Sequence, residues 1–484
     1  MLRSIAVASL LLLGSIGCGP EEKLPAEVES NASHRERPNV LLVVLDTTRR
    51  DRLGLYGYDR ETTPALDALA ADGIIYERAI SAGSWTLPSH ASIFTGLYPR
   101  DHGTTVEHWR LLPEFDTLAE QLRRDGFETV GVCSNPWVSA NTGLQQGFDR
   151  FEEVWRDRKE DNRDLHGAAL VTERLLGWLD QRTAAERPFF AFVNYLEPHS
   201  PYQPPEPYRS RFLPEDADRA VVADVMDWET PREFGYILGL PGYEISAEAS
   251  RILSALYDAE VAYQDLRFGQ LIEGLRERGV LDDTIIVVVA DHGEQLGEHG
   301  MLDHKMSLYA ENVHVPLIVR YPKALPRGVR IEAQVQSNDI YATILDLVES
   351  DQPRAEGLQS LPFADGEGVG RPYAFVDMAP PTAFMTMMIK EWPNSDIVRF
   401  DRTIRSVRGP RFELFWGSDG ERRLYDLESD PSESTDVKAE HAAIQRSLES
   451  LLDKFYEGSL SSDRNPVELD EEHREALKSL GYVN

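Results

Sequence analysis

Val40-Leu41-Leu42-Val43-Val44-Leu45 is an unbroken apolar run, entered from Pro38-Asn39 and stopped by Asp46. A short Val/Leu-rich run with no polar alternation suits a strand covered on both faces, as in a parallel sheet enclosed by helices. The pattern recurs along the chain. Phe189-Phe190-Ala191-Phe192-Val193 runs into Asn194, and Ile285-Ile286-Val287-Val288-Val289-Ala290 runs into Asp291-His292-Gly293. Val315-Pro316-Leu317-Ile318-Val319 reads as a further short strand. Between the runs, 168–179 is amphipathic, and 250–278 carries Ile252, Leu256, Ala259, Ala262 and Leu266 at helical spacing. Strands alternating with helices predict an α/β fold: a doubly wound, mostly parallel sheet flanked by helices. With 42% hydrophobic residues the chain can fill such a core.

The pattern changes near residue 350. Arg411–Phe415 and Arg423–Leu427, joined by Gly417-Ser418-Asp419-Gly420, predict a β-hairpin, and a helix is expected over 441–455. The expected organisation is a doubly wound domain over 38–350, a smaller C-terminal α+β subdomain over 351–459 and a tail over 460–484. Residues 201–248 are rich in Pro, aromatic and acidic groups without a clear period, and read as an insertion over the active face.

The first residues read as an export signal over 1–17, with Arg3 as a positive start and an apolar stretch from Ile5 to Ile16. That stretch falls short of the about 20 apolar residues a spanning helix needs. Ser15-Ile16-Gly17-Cys18 resembles a bacterial lipoprotein box, so Cys18 is expected to carry lipid and 18–37 to be a flexible tether. The expected location is periplasmic or outer-membrane associated, with the membrane met only through that anchor. Cys133, the other cysteine, follows the buried-looking Thr129-Val130-Gly131-Val132 and reads as a core residue. The net charge of −32 repels nucleic acid, which is not expected as a partner.

In a doubly wound sheet, ligands bind beyond the carboxyl ends of the strands. Two of the runs end there in metal-competent groups, Asp46 and the pair Asp291-His292. Two carboxylates and an imidazole suit one divalent cation, Ca, Mg, Mn or Zn. The third piece is Ser84-Trp85-Thr86-Leu87-Pro88-Ser89-His90-Ala91-Ser92-Ile93-Phe94-Thr95-Gly96, read as a short helix stopped by Gly96 with Thr86 just ahead of it. A hydroxyl there is either a helix cap or a nucleophile placed beside a cation and the helix amides.

Taken together these motifs resemble the sulfatase family of the alkaline-phosphatase superfamily. Arg37-Pro38-Asn39-Val40 to Asp46 is similar to the first metal-binding strand. Thr86 to Gly96, with Leu97-Tyr98-Pro99 and His102-Gly103, is similar to the signature Cys/Ser-x-Pro-Ser-Arg and its Thr-Gly ending. Glu197-Pro198-His199 is similar to the loop carrying a substrate-contacting histidine. Asp291-His292-Gly293-Glu294 with Leu296-Gly297-Glu298-His299-Gly300 is similar to the second metal motif, and Lys305 falls at the substrate lysine. Leu424-Tyr425-Asp426-Leu427 resembles the C-terminal hairpin. The resemblance implies Asp46, Asp291 and His292 as metal ligands, Thr86, His199 and Lys305 as catalytic, and His90, Asn135, His199 and Lys305 as substrate-binding.

Departures from the family pattern bear on the chemistry. Thr86 stands where a cysteine or serine is oxidised to formylglycine, and threonine cannot give that aldehyde, so formylglycine is not expected. His90 replaces the signature arginine, Thr47 replaces a second aspartate, and Cys133-Ser134-Asn135-Pro136 stands where a lysine is usual. The expected function is metal-dependent hydrolysis of sulfate or phosphate esters, of a small molecule, glycan or lipid, with Thr86 as nucleophile. The alternatives are a phosphodiesterase or phosphoryl transferase of the phosphoethanolamine type, and an inactive sulfatase-like binding protein.

Overall fold

The computed structural model describes residues 37–157, 167–182, 187–228, 230–364, 370–457 and 470–479. The expected signal, Cys18 and nearly all of the tether lie outside the described residues, as does the tail apart from a helix, Glu471–Ser479. No helix among the described residues is long and apolar enough to cross a membrane.

The apolar runs are strands of one sheet. Its members are β1 Asn39–Leu45, β2 Ile74–Ile80, β3 Glu128–Cys133, β4 Arg150–Glu153, β5 Phe189–Tyr195 and β6 Thr284–Ala290. A small hairpin follows, β7 Gln295–Leu296 and β8 Leu302–Asp303, and then the sheet resumes with β9 His314–Val315, β10 Leu317–Arg320 and β11 Val329–Gln336. The order is β11-β2-β10-β6-β1-β5-β3-β4, with β9 beside β2. β1 runs parallel to both neighbours, β5 and β6, and every β6 residue is buried. β10 is antiparallel to β6 and β2, so the sheet is parallel-dominated. The run read as a single strand over 315–319 is in fact two, β9 and β10, divided at Pro316, which has no N–H to give a ladder.

Helices Pro64–Ala71, Gly167–Gln181 and Ala247–Glu277 pack on one another as one layer; Thr86–Thr95, Leu118–Arg124 and Asp339–Leu347 form another. The segment 201–248, where no period was found, contains three short helices, Tyr208–Phe212, Arg219–Met226 and Thr230–Ile237. The first two lie against Ala247–Glu277. They are five to eight residues long, too short for a helical period to show in the sequence.

A second, antiparallel sheet takes the order β12 Ala374–Met378, β13 Ile404–Arg408, β14 Phe412–Gly417 and β15 Arg422–Asp426. The predicted hairpin is β14–β15, turned with Gly420 at φ 94°, where an L side chain would be strained. Helix Ala442–Tyr456 covers one face through Leu448, Leu452 and Tyr456 on Val407, Leu414 and Leu424. The other face sets Val376, Met378 and Phe415 against Ile80, Leu308 and Val313 of the main body.

Candidate active site

Asp46, Asp291 and His292 converge at the carboxyl ends of β1 and β6, adjacent strands in register from Asn39/Thr284 to Leu45/Ala290. The register alone therefore places Asp46 beside Asp291. All three side chains are fully buried, and their ligand atoms lie within 4.8 Å of one another. Asp46 Oδ2 accepts from the amides of Asn135 (2.7 Å) and Asn194 (3.2 Å), while its Oδ1 has no hydrogen-bond partner. Asp291 Oδ1 accepts from the backbone N–H groups of His292 (2.8 Å) and Thr47 (3.2 Å), and its Oδ2 likewise has none. His292 Nδ1 donates to the Gly293 carbonyl at 2.9 Å, which leaves Nε2 as the lone-pair nitrogen, 3.4 Å from Asp291 Oδ2.

Burial pushes the Asp46 carboxyl up to about 7, against the pull of the two amides. Burial, and then the neighbouring Asp46 charge, push Asp291 well above the carboxylate range, and burial lowers His292. Two buried carboxylate oxygens without partners beside an imidazole lone pair are costly unless a cation balances them. The donor set fits one divalent ion.

Backbone geometry holds these groups. Thr47 has φ 48°, a left-handed conformation uncommon for a β-branched residue. Its carbonyl accepts from Tyr257 Oη at 2.7 Å, and the Tyr257 hydroxyl in turn accepts from Arg49 N at 2.8 Å, so helix Ala247–Glu277 fixes the turn after Asp46. A Cβ on Gly293 would fall 1.9 Å from the Glu311 carbonyl oxygen, so only glycine lets the strand after His292 pass so close.

Thr86 is the first residue of helix Thr86–Thr95, which therefore begins one position earlier than expected; the N-cap is Trp85, which makes no side-chain cap bond. The helix-cap reading of Thr86 is thereby replaced by another use of its hydroxyl. Thr86 Oγ1 lies 3.3 Å from His292 Nε2 and 3.4 Å from Asn135 Nδ2. Gly96 ends the helix at φ 73°, its N–H donating to Ser92 O. Ser89, the nearest other hydroxyl in the helix, is engaged with the Gly83 carbonyl and Ser81.

The remaining predicted residues surround this centre. Asn135 bridges the nucleophile candidate and the metal-site carboxylate. His90 is fully buried behind it; Nδ1 donates to the Thr86 carbonyl (2.8 Å) and stands 3.6 Å from Asp291 Oδ2, and burial lowers its pKa to about 4. Its ring packs on Phe94 and Phe192. His199 donates from Nδ1 to the Ser200 carbonyl at 2.6 Å and lies edge-on to His304, ring centres 5.1 Å apart. Lys305 pairs with Asp303, and burial lowers its pKa.

Asn194 and Glu233 have no role in the reading of the sequence, where His304 stands near the site with a ligand or supporting role left open. Asn194, at the end of β5, donates to Asp46 and accepts the Asn135 backbone N–H at 3.1 Å. His304 Nδ1 lies 3.1 Å from Glu294 Oε1 and 2.9 Å from Asp303 Oδ1, and its ring centre is 4.3 Å from that of His292. Glu233, from the short helix Thr230–Ile237, accepts from Ser200 Oγ at 2.8 Å. Asn194 had a readable signal, since it stops an apolar strand as Asp46 and Asp291 do.

Known proteins share this fold. The family model described as Sulfatase matches residues 38–350, and that of the N-sulphoglucosamine sulphohydrolase C-terminal region matches 297–457. The chain is 25% identical over 454 residues to an arylsulfatase of Clostridium perfringens, covering 83% of this chain and 90% of the relative. It is 27% identical over 407 residues to a multifunctional alkaline phosphatase superfamily protein of Trinickia caryophylli, covering 68% and 78%. Among solved structures, the phosphonate monoester hydrolase of Agrobacterium radiobacter is similar with a TM-score of 0.72 at 25% identity, over 88% of this chain and 96% of that one.

Proposed function

Since the chain belongs to the sulfatase family, within the alkaline-phosphatase superfamily of sulfuric and phosphoric ester hydrolases, we propose that it cleaves such esters through the Thr86 hydroxyl. One observation carries the reading: Thr86 Oγ1 faces His292 Nε2 at 3.3 Å, in a pocket where Asp46 Oδ1 and Asp291 Oδ2 have no protein partner. Asp46, Asp291 and His292 would hold a divalent cation, with Thr86 beside it. Such an ion supplies a lowered hydroxyl pKa and charge neutralisation for the ester oxygens.

The side chains divide the remaining work. Asn135 donates toward Thr86 Oγ1 and holds the hydroxyl facing the site. The helix Thr86–Thr95 would offer its first N–H groups to the anion. Lys305, paired with Asp303, would help to neutralise the ester, and His199, beside His304, would serve the leaving oxygen. Asn194 keeps Asp46 in place.

The side chain of Thr86 favours phosphorus over sulfur. A threonyl sulfate has no second hydroxyl from which to expel sulfate, whereas a threonyl phosphate is open to attack by water or an alcohol. Export and a lipid anchor at Cys18 belong to the same proposal, on the strength of the apolar stretch 5–16 before Gly17-Cys18. The test is a pair of variants: Thr86→Ala is expected to lose turnover with metal content unchanged, and Thr86→Ser to keep measurable turnover of an aryl phosphate ester. Full activity in Thr86→Ala would end the assignment.

A further inference from the structure

Glu294, Asp303 and His304 form a second group with metal-ligand donors, next to Asp46, Asp291 and His292 and sharing no residue with them. Their ligand atoms lie within 4.8 Å of one another, and all three side chains are buried. His304 Nδ1 stands 3.1 Å from Glu294 Oε1 and 2.9 Å from Asp303 Oδ1. Glu294 is fully buried, and its Oε2 has no hydrogen-bond partner. The His304 ring centre is 4.3 Å from that of His292 and 5.1 Å from that of His199. The group therefore borders both the first cation position and the histidine assigned to the leaving oxygen.

Charge decides what this group needs. Buried Glu233, Glu294 and Asp303 act on one ammonium, that of Lys305, which pairs directly with Asp303. Three carboxylates around one ammonium leave two negative charges out of water. A cation held by Asp46, Asp291 and His292 does not offset them, because it is matched by two carboxylates of its own. A proton on His304 supplies a single positive charge and one N–H at Nδ1, to be shared by Glu294 and Asp303, and it leaves Glu294 Oε2 unsatisfied. One divalent ion supplies both charges and gives Glu294 a partner.

We infer that Glu294, Asp303 and His304 bind a second divalent cation, of the zinc or manganese type. An imidazole beside two carboxylates suits such an ion better than calcium or magnesium, which prefer oxygen alone. Asp303 is held for the task by its backbone. At φ 66° it is left-handed, and its Oδ1 accepts the backbone N–H of His304 while its Oδ2 meets Lys305. The inference does not depend on Thr86 being the nucleophile. An ion on His304, close to His199, would stabilise the negative charge that develops on a leaving oxygen.

The full chain is stripped with a chelator, reloaded with zinc, freed of excess by gel filtration and assayed for bound metal per chain. Anomalous scattering at the zinc edge then locates the ions in crystals. The parent chain is expected to hold about two ions, and Glu294→Gln and His304→Asn about one each, with the thermal midpoint of the metal-free chain used to confirm that both variants fold. Asp291→Asn is expected to lose the ion beside Asp46 and keep the one beside Glu294. A parent chain with a single ion, retained in Glu294→Gln and His304→Asn and lost in Asp291→Asn, would overturn the second site and leave the first standing. Two ions in the parent and in both variants would overturn it as well. A single ion lost in Glu294→Gln and His304→Asn but kept in Asp291→Asn would uphold this site and count against the first.

Discussion

Asp46 shows how one carboxylate is divided between structure and chemistry. Two amides, from Asn135 and Asn194, fix Oδ2, and Oδ1 is left toward Asp291 and His292. A ligand held from behind in this way needs no reorganisation to take up a cation, and such outer partners commonly carry 10–100-fold in metal affinity. Asn194→Ala is therefore expected to weaken metal retention by about tenfold or more in a chelator competition, with a matching loss of turnover at limiting metal and partial recovery at excess. Unchanged retention would mean that Asn135 suffices. Asp46, Asp291 and His292 were legible in the sequence because each follows an apolar run whose strand must end at the open edge of the sheet. Asn194 ends such a run too, but an amide carries no metal-ligand signature, and its use depends on which strand lies next to β1. His304 was legible as a neighbour of the site through the Asp291-His292 motif but not in its role, and Glu233 was not legible, since it comes from a short helix with no period to read.

At the scale of elements, the long helix Ala247–Glu277 does more than cover the sheet. Its Asp265 accepts the backbone N–H groups of Ala65 and Leu66, 2.9 Å each, and so caps the helix Pro64–Ala71 from another element. Burial raises the Asp265 carboxyl to about 7, outweighing those two bonds. Between about pH 4, where the unfolded carboxyl ionises, and about 7, the folded chain keeps a proton that the unfolded chain has lost. This contribution to stability is complete below that window and is lost as pH rises through it. Asp265→Asn is expected to flatten the fall in thermal midpoint between pH 5 and 8 relative to the parent chain. An identical pH profile would place the titration elsewhere. The α/β class was legible because β1, β5 and β6 are uniformly apolar. The antiparallel direction of β10 was not, because a four-residue strand after Pro316 reads alike in either direction.

For the molecule as a whole, the C-terminal sheet is fastened to the main body by apolar contacts and by a hydrogen bond from a buried ionic cluster of its own. Arg408 pairs with Glu413 and with Glu433 (2.7 Å), while Glu433 also accepts the backbone N–H of Ala310, in the main body, at 3.0 Å. The same sheet supplies Met378 to a small hollow that it shares with Trp85, the residue before Thr86. The net charge of −32 keeps this body away from anionic surfaces, and a tether at Cys18 would hold it near a membrane without adsorbing it. Cys18→Ser is expected to abolish lipid labelling and move the protein from the membrane fraction to the soluble one; an unlabelled parent chain would refute the anchor.

The central claim is that Thr86 becomes covalently linked to the group it removes. The most direct measurement is acid quenching during turnover of a phosphorus-labelled aryl phosphate ester, followed by peptide mapping. Label is expected on the peptide spanning Ser84–Gly96, localised to Thr86 and lost in both Thr86→Ala and Asp291→Asn. Label on Ser89, or steady turnover of the ester with label on no residue of that peptide at any quench time, would contradict it.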